Sequence, residues 1–240
     1  MKIIAVGDIH GRTTWKDIVA KEADADKYIF IGDYFDSRYY TISGNIQIAN
    51  FKEILELKKQ NPEQVIMLMG NHDLHYLKGI DETYSGYQAG YALEIGEIIG
   101  KAINDGHLQM CYHLAPFFFS HAGLTKTWCK DMLDIENPMV DDSLVSTIND
   151  YLIYKPRVFK FNMGANFSDI GNDITQGPVW VRPESLAKDM VDGITCVVGH
   201  TPAEKLGPMQ LHPQIIRIDC LGWTNEYLVI EDGQIRAEVC

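Results

Sequence analysis

One junction recurs five times along this chain: a short apolar, β-rich run ends in a tight cluster of glycine, aspartate, asparagine and histidine. The runs are Ile3-Ile4-Ala5-Val6, Tyr28-Ile29-Phe30-Ile31, Val65-Ile66-Met67-Leu68-Met69, Phe117-Phe118-Phe119 and Thr195-Cys196-Val197-Val198. They lead into Gly7-Asp8-Ile9-His10-Gly11, Gly32-Asp33-Tyr34-Phe35-Asp36, Gly70-Asn71-His72-Asp73, Ser120-His121-Ala122-Gly123 and Gly199-His200-Thr201. Short continuous apolar runs bounded by turn residues read as buried strands. Polar clusters at their ends bring carboxylates, imidazoles and an amide to neighbouring strand termini, which is how a multi-ligand metal site is assembled.

Helical periodicity fills the gaps. Trp15, Ile18 and Val19 recur at i, i+3 and i+4 behind Thr13-Thr14, and Ile48, Phe51 and Leu55 form a stripe that stops before Asn61-Pro62. Strand, helix, strand, helix, strand predicts right-handed crossovers and a largely parallel sheet. A longer helix is expected from about Tyr87 to Ile103, interrupted by Gly90, Gly96 and Gly100. Leu108 to Leu114 and Phe117 to Ser120 read as two strands joined near Ala115-Pro116. Asp232-Gly233, between Glu226–Glu231 and Gln234–Val239, is a strong hairpin signal. From Asp141 to Pro183 the pattern blurs around Pro156, Gly164, Gly171, Gly177 and Pro178, so an irregular cover or rim over the site is expected there. All 240 residues read as one α/β domain.

The net charge of −12 argues against an extended nucleic-acid groove or an anionic membrane surface as partner. No apolar stretch approaches the ~20 residues that span a bilayer. Met1-Lys2 enters a strand with no positively charged leader, so a cytoplasmic protein is expected. The cysteines Cys111, Cys129, Cys196, Cys220 and Cys240 are widely spaced and odd in number, which fits reduced thiols and shows no thiolate zinc site.

Asp8 and His10, two apart past a strand, can point to one side and hold a divalent ion. Asp33 has two oxygens and could bridge two ions, with Asn71, His121 and His200 completing the coordination of the second ion. Oxygen and nitrogen ligands without thiolate suit Mn²⁺, Fe or Zn²⁺, and Mn²⁺ is the first expectation.

In this order the clusters Gly-Asp-x-His-Gly, Gly-Asp-x-x-Asp, Gly-Asn-His-Asp, His-Ala-Gly and Gly-His resemble the calcineurin-like metallophosphoesterases from Asp8 to His200. The resemblance implies a four-layer α/β/β/α sandwich with mixed sheets and a two-metal centre. Asp8, His10 and Asp33 would hold one ion, and Asp33, Asn71, His121 and His200 the other. Many nuclease and phosphodiesterase branches carry a second His two residues after the last Gly-His, where this chain has Pro202. The chain is therefore more similar to the phosphoprotein phosphatase branch, which includes bacterial and phage protein phosphatases and symmetrical diadenosine tetraphosphate hydrolases. That branch usually carries Asp-Arg-Gly after the second motif; here Asp36-Ser37-Arg38 runs one residue out of step.

Two cations roughly 3.5–4 Å apart can acidify a bridging water to hydroxide, which would attack phosphorus in line with the leaving group. His72 is the expected proton donor to the leaving oxygen, and the resemblance pairs it with Asp36. Trp180-Val181-Arg182 resembles the segment that supplies a phosphate-clamping arginine, so Arg182 is the first substrate-binding candidate, Arg38 the second and Arg12 the third. His75 is a candidate pocket residue, Asp73 a loop brace, and His107, His113 and His212 ordinary surface or strand-end residues. The expected reaction is phosphomonoester hydrolysis, foremost on Ser/Thr or broader phosphoprotein substrates. A dinucleotide polyphosphate hydrolase or nucleic-acid end phosphatase is the alternative, and a silent binding module the third reading.

Overall fold

The computed structural model describes residues 1–162 and 171–240; residues 163–170, part of the expected rim, lie outside the described residues. β1 (Lys2–Val6), α1 (Thr14–Lys21), β2 (Lys27–Phe30), α2 (Gly44–Gln60) and β3 (Val65–Leu68) form the expected parallel crossover units. After a single turn, α3 (Asn71–Leu74), come α4 (Ala92–Asn104), β4 (Leu108–Gln109), β5 (Cys111–Leu114) and β6 (Phe117–Ser120). Then follow α5 (Lys126–Leu133), α6 (Asp142–Tyr154), a 3-10 turn (Pro156–Phe159) and α7 (Pro183–Asp189). The chain ends in β7 (Thr195–Val198), β8 (Gly207–Pro208), β9 (Ile215–Arg217), β10 (Glu226–Glu231) and β11 (Gln234–Val239).

Two mixed sheets result, with orders β11-β10-β1-β2-β3-β4 and β5-β6-β7-β9-β8. Alternation along the strands sorts side chains between two apolar layers. Ile3, Ala5, Ile29, Ile31, Ile66 and Leu68 from the first sheet meet Phe117, Phe119, Val197 and Ile216 from the second, all buried. The opposite faces, including Ile4, Val6, Phe30 and Met67 on one sheet and Phe118, Cys196 and Val198 on the other, share a cluster with helical residues such as Ile18, Phe51, Ile99, Ile148 and Leu186. The architecture is the four-layer α/β/β/α sandwich, and no helix among the described residues is long and apolar enough to cross a membrane.

Three sequence expectations are corrected. The segment Leu108 to Leu114 is two strands in different sheets, because the chain crosses between them at Met110. Asn149 makes the crossing tolerable: its Oδ1 accepts the N–H groups of Met110 (2.9 Å) and Cys111 (3.0 Å), which no ladder satisfies at that point. The helix expected from Tyr87 begins at Ala92, and in the turn before it the Gln88 backbone N–H is bonded to the Tyr76 hydroxyl (2.9 Å). The blurred stretch contains a full helix, α6, whose Leu144, Ile148 and Leu152 are buried and whose N-cap Asp141 accepts the Leu144 N–H at 2.8 Å. Asp232 and Gly233 both have positive φ, as a two-residue hairpin of the expected kind requires.

Candidate metal centre

The strands β1, β2 and β3 of one sheet and β6 and β7 of the other deliver their five polar clusters to a common edge. The turns there are sharp. His10 (φ 43°), Asp33 (φ 51°), Asp36 (φ 60°) and His200 (φ 62°) all occupy the left-handed region, which costs a non-glycine residue about 1 kcal/mol or more each. Backbone hydrogen bonds hold these turns together, His10 N–H to Asp33 O at 2.6 Å and Gly11 N–H to Tyr34 O at 2.9 Å. Asp73 braces them, accepting the N–H groups of Asp33 (2.8 Å), Tyr34 (2.8 Å) and Gly70 (2.9 Å). At Gly199 a Cβ would stand 2.1 Å from Asp8 Oδ1, so only glycine lets that strand end approach the carboxylate.

The imidazoles are oriented by backbone carbonyls. His10 Nδ1 donates to Phe35 O (2.6 Å) and His121 Nδ1 to Ile31 O (3.0 Å), which leaves each Nε2 as a lone-pair atom aimed inward. His121 Nε2 then faces Asn71 Oδ1 at 2.8 Å and Asp33 Oδ2 at 3.4 Å, while His10 Nε2 lies 3.6 Å from that same Asp33 oxygen. His200 Nδ1 reaches Asn71 Oδ1 at 2.9 Å, and its Nε2 is buried without a hydrogen-bond partner. Asp8 accepts the His200 N–H on both oxygens at 3.2 Å.

Acceptor atoms therefore face acceptor atoms in a buried space, an arrangement that is unfavourable until a proton or a cation sits among them. The electrostatics carry the same message. Burial pushes the His121 imidazole down, yet Asp33 and Asp8 overwhelm it and lift it to about 10. Burial and neighbouring Asp219 push the Asp8 carboxyl well above its ordinary range. The donor set, carboxylate and amide oxygens with neutral imidazoles, fits hard or borderline divalent cations. Asp8, His10 and Asp33 have ligand atoms within 4.8 Å of one another, and Asp33 also faces His121.

Beside this cluster stands a second one. His72 donates its backbone N–H to Asp33 Oδ1 (2.9 Å), packs its ring edge-on to His10, and places Nδ1 3.0 Å from Asp36 Oδ2. Burial lowers the His72 pKa, but the Asp33 and Asp36 carboxylates outweigh it and the net shift is upward. Burial raises the Asp36 pKa, and the donors His72, His75 and Tyr76 reverse this, holding it at about 2.

Both clusters border one cleft of about 220 Å³. Asp8, His10, Asp33, Asn71, His72 and His200 line it with Arg12, Arg38 and Arg182, and Tyr39, Tyr84, Trp180 and Trp223 form its aromatic wall. Arg182 is anchored by Thr201 Oγ1 (3.1 Å), Arg38 is exposed, and Arg12 donates to Asp8 O (3.1 Å) with its guanidinium 5.5 Å from the centre of the Tyr39 ring. Among the described residues Arg157 and Arg236 are paired with carboxylates, and none of these three arginines is.

His75 does not line the cleft. It is buried behind Asp36, with Nε2 2.7 Å from Asp36 Oδ2, because its ring is packed among tyrosines. His107, His113 and His212 also lie off the cleft. Sequence reasoning passed over Asp219, a buried cleft residue whose carboxyl burial and Asp33 push up to about 6, and over Tyr76 and Gln88, both bonded to Asp36 Oδ1. None of the three sits in a glycine-punctuated strand-end cluster.

A family model described as calcineurin-like phosphoesterase matches residues 1–203. The serine/threonine-protein phosphatase 6 catalytic subunit of Drosophila melanogaster is 28% identical over 92 residues, covering 35% of this chain and 28% of that protein. The chain spans about a quarter of the length of the curated relatives first matched. Among solved structures, a cold-active protein-tyrosine phosphatase of a psychrophilic Shewanella superposes with TM-score 0.64 at 17% identity, over 99% of this chain and 77% of that one. A protein serine/threonine phosphatase from Saccharomyces cerevisiae gives 0.57 at 13% identity, over 100% of this chain and 80% of that one. At such identities these two likenesses concern the fold alone. All five strand-end clusters, from Asp8 to His200, fall within the matched stretch, and this chain belongs to the calcineurin-like phosphoesterase family.

Proposed function

We propose that this protein is a metal-dependent phosphomonoesterase of the cytoplasm, acting foremost as a Ser/Thr or broad-specificity protein phosphatase. The observation that carries the reading is the shared cleft: a buried ring of inward-facing acceptors, a carboxylate-held imidazole and unpaired arginines open onto the same 220 Å³. Asp8, His10 and Asp33 would hold one divalent cation and Asp33, Asn71, His121 and His200 a second, with Mn²⁺ the proposed metal. Such a pair supplies Lewis-acid chemistry, neutralising phosphoryl oxygens and lowering the pKa of water.

The chain's own residues do the rest. Arg182 and Arg38 bind the non-bridging phosphoryl oxygens, and desolvation is cheaper for a planar guanidinium than for an ammonium. Arg12, already bonded to the Asp8 carbonyl, braces the first motif. As the P–O bond breaks, the leaving oxygen takes the bonding pair and the proton on His72 Nε2, while Asp36 holds the Nδ1–H and so fixes tautomer and ring plane. The small cleft suits a phosphoryl group and the stub of a side chain better than a polymer.

A second reading has one observation in its favour. Trp223 is 77% exposed and Tyr39 48% exposed at the cleft wall, where a nucleobase could stack, so a dinucleotide polyphosphate hydrolase is retained. Rates at fixed Mn²⁺ on a phosphopeptide, nitrophenyl phosphate, diadenosine tetraphosphate and a 3′-phosphorylated oligonucleotide separate the readings. The phosphopeptide is expected to lead; about a hundredfold preference for the dinucleotide overturns the first reading. Unchanged hydrolysis after Asn71→Ala or His72→Asn would instead point to a silent binding module.

A further inference from the structure

Asp36 is a buried hub touched by the polar atoms of four side chains, and three of them, His75, Tyr76 and Gln88, have no place in the chemistry so far described. Its Oδ2 meets His72 Nδ1 at 3.0 Å and His75 Nε2 at 2.7 Å; its Oδ1 accepts the Tyr76 hydroxyl at 2.5 Å and Gln88 Nε2 at 3.2 Å. The His75 tautomer is fixed from the other side, since Nδ1 accepts the Tyr84 backbone N–H at 3.1 Å and the ring proton must then sit on Nε2. That Nε2 is buried 2.7 Å from Asp36 Oδ2, in close contact with it rather than in an aligned hydrogen bond, and Asp36 is the one carboxylate beside it among the described residues. The ring is itself clamped, edge-on to Tyr76 (4.4 Å) and Tyr87 (5.1 Å) and parallel to Tyr84 (5.7 Å). Gly86, with φ 88°, closes the same loop so tightly over Asp36 that a Cβ there would lie 2.9 Å from the aspartate's own.

A carboxylate that orients an imidazole has two torsions of its own to lose. One donor on Oδ2 leaves it free to swing; donors on both oxygens, from rings that cannot move, do not. We propose that His75, with Tyr76, is a positioning residue of the proton-delivering pair: it fixes the Asp36 carboxylate so that Asp36 can fix His72. The inference rests on the phosphomonoesterase reading. Neither residue touches the substrate, so their effect passes through His72 alone and is confined to esters whose leaving oxygen needs a proton.

The side chains allow a selective test. His75→Asn keeps an acceptor for the Tyr84 N–H and removes the donor to Asp36, whereas His75→Gln reaches Asp36 with its own Nε2. Each variant, and Tyr76→Phe, is assayed with Mn²⁺ on an alkyl phosphate, a poor leaving group, and on nitrophenyl phosphate, a good one, alone and in a His72→Asn background. A general acid is worth about 10²–10⁴-fold, so His75→Asn is expected to lower kcat on the alkyl ester about tenfold or more, with less than about threefold loss on the nitrophenyl ester. His75→Gln recovers most of that loss, and neither variant changes the alkyl-ester rate once His72 is Asn. Equal losses on both esters, or a full additional loss in the His72→Asn background, overturn the inference while leaving the phosphatase reading intact. If His75→Asn fails to fold, Tyr76→Phe decides by the same criteria. Wild-type protein inert on both esters, or His72→Asn without effect on the alkyl ester, defeats the phosphatase reading and the inference with it.

Discussion

At the scale of single residues, the site is paid for in backbone conformation. His10, Asp33, Asp36 and His200 sit at positive φ, and the neighbouring Gly199 has no room for a methyl group against Asp8. Gly199→Ala is therefore expected to displace the Asp8 carboxylate and cut metal retention at least about tenfold, read as metal per protein after gel filtration in Mn²⁺; full retention contradicts the close-approach argument. The residues that meet at the sheet edge were legible because each stands in a glycine-flanked cluster at a strand end. His75 was legible only as a candidate pocket residue, and Tyr76 and Asp219 not at all. Their positions are set by packing of one loop or strand against another, and none of them carries a local sequence pattern that would announce a contact with Asp36 or the cleft.

At the scale of elements, side chains substitute for missing ladders. Asn149 on α6 satisfies both N–H groups where the chain steps between sheets, so Asn149→Ala leaves two buried donors without an acceptor. The expected cost is about 2–3 kcal/mol in urea denaturation at constant m; a change under about 0.5 kcal/mol would mean water replaces the amide. Glu22, at the C-terminus of α1, ties β1 to β10 through the Lys2 ammonium (2.7 Å) and the Tyr227 hydroxyl (2.5 Å). Burial pushes its carboxyl up, but these partners prevail and the net shift is downward from the ordinary value of 4.5. A depressed carboxylate stabilises above its unfolded pKa, and the benefit disappears as pH falls through the folded one. Thermal melts should thus show Glu22→Gln less stable than wild type at pH 7, with the gap closing below pH 4.5; a gap independent of pH would assign it to packing. The parallel half of the fold and the C-terminal hairpin could be read from periodicity. The helix α6 could not, because its signal was only Leu144, Ile148 and Leu152 behind an aspartate cap, amid prolines and glycines that suggested irregular chain.

At the scale of the whole molecule, Asp8, Asp33, Asp36, Asp73 and Asp219 are all at least nine-tenths buried around one end of the sandwich, and they are part of a formal net charge of −12. Divalent cations there should stabilise the native state by linkage, about 2.7 kcal/mol when free metal is a hundred times its Kd. Chelator-treated protein is expected to melt lower and to recover with Mn²⁺; coincident melts would show that the acidic cluster is tolerated without cations. The sandwich gives this cluster a particular dependence. Three of its contributing strands lie in one sheet and two in the other, and a dry layer that includes Phe117, Phe119, Ile29 and Leu68 packs the two sheets together. That greasy seam is the ruler against which the ligand spacing is set. If one leaf creeps along the other, the proposed grip on divalent ions is expected to slacken long before the chain comes undone.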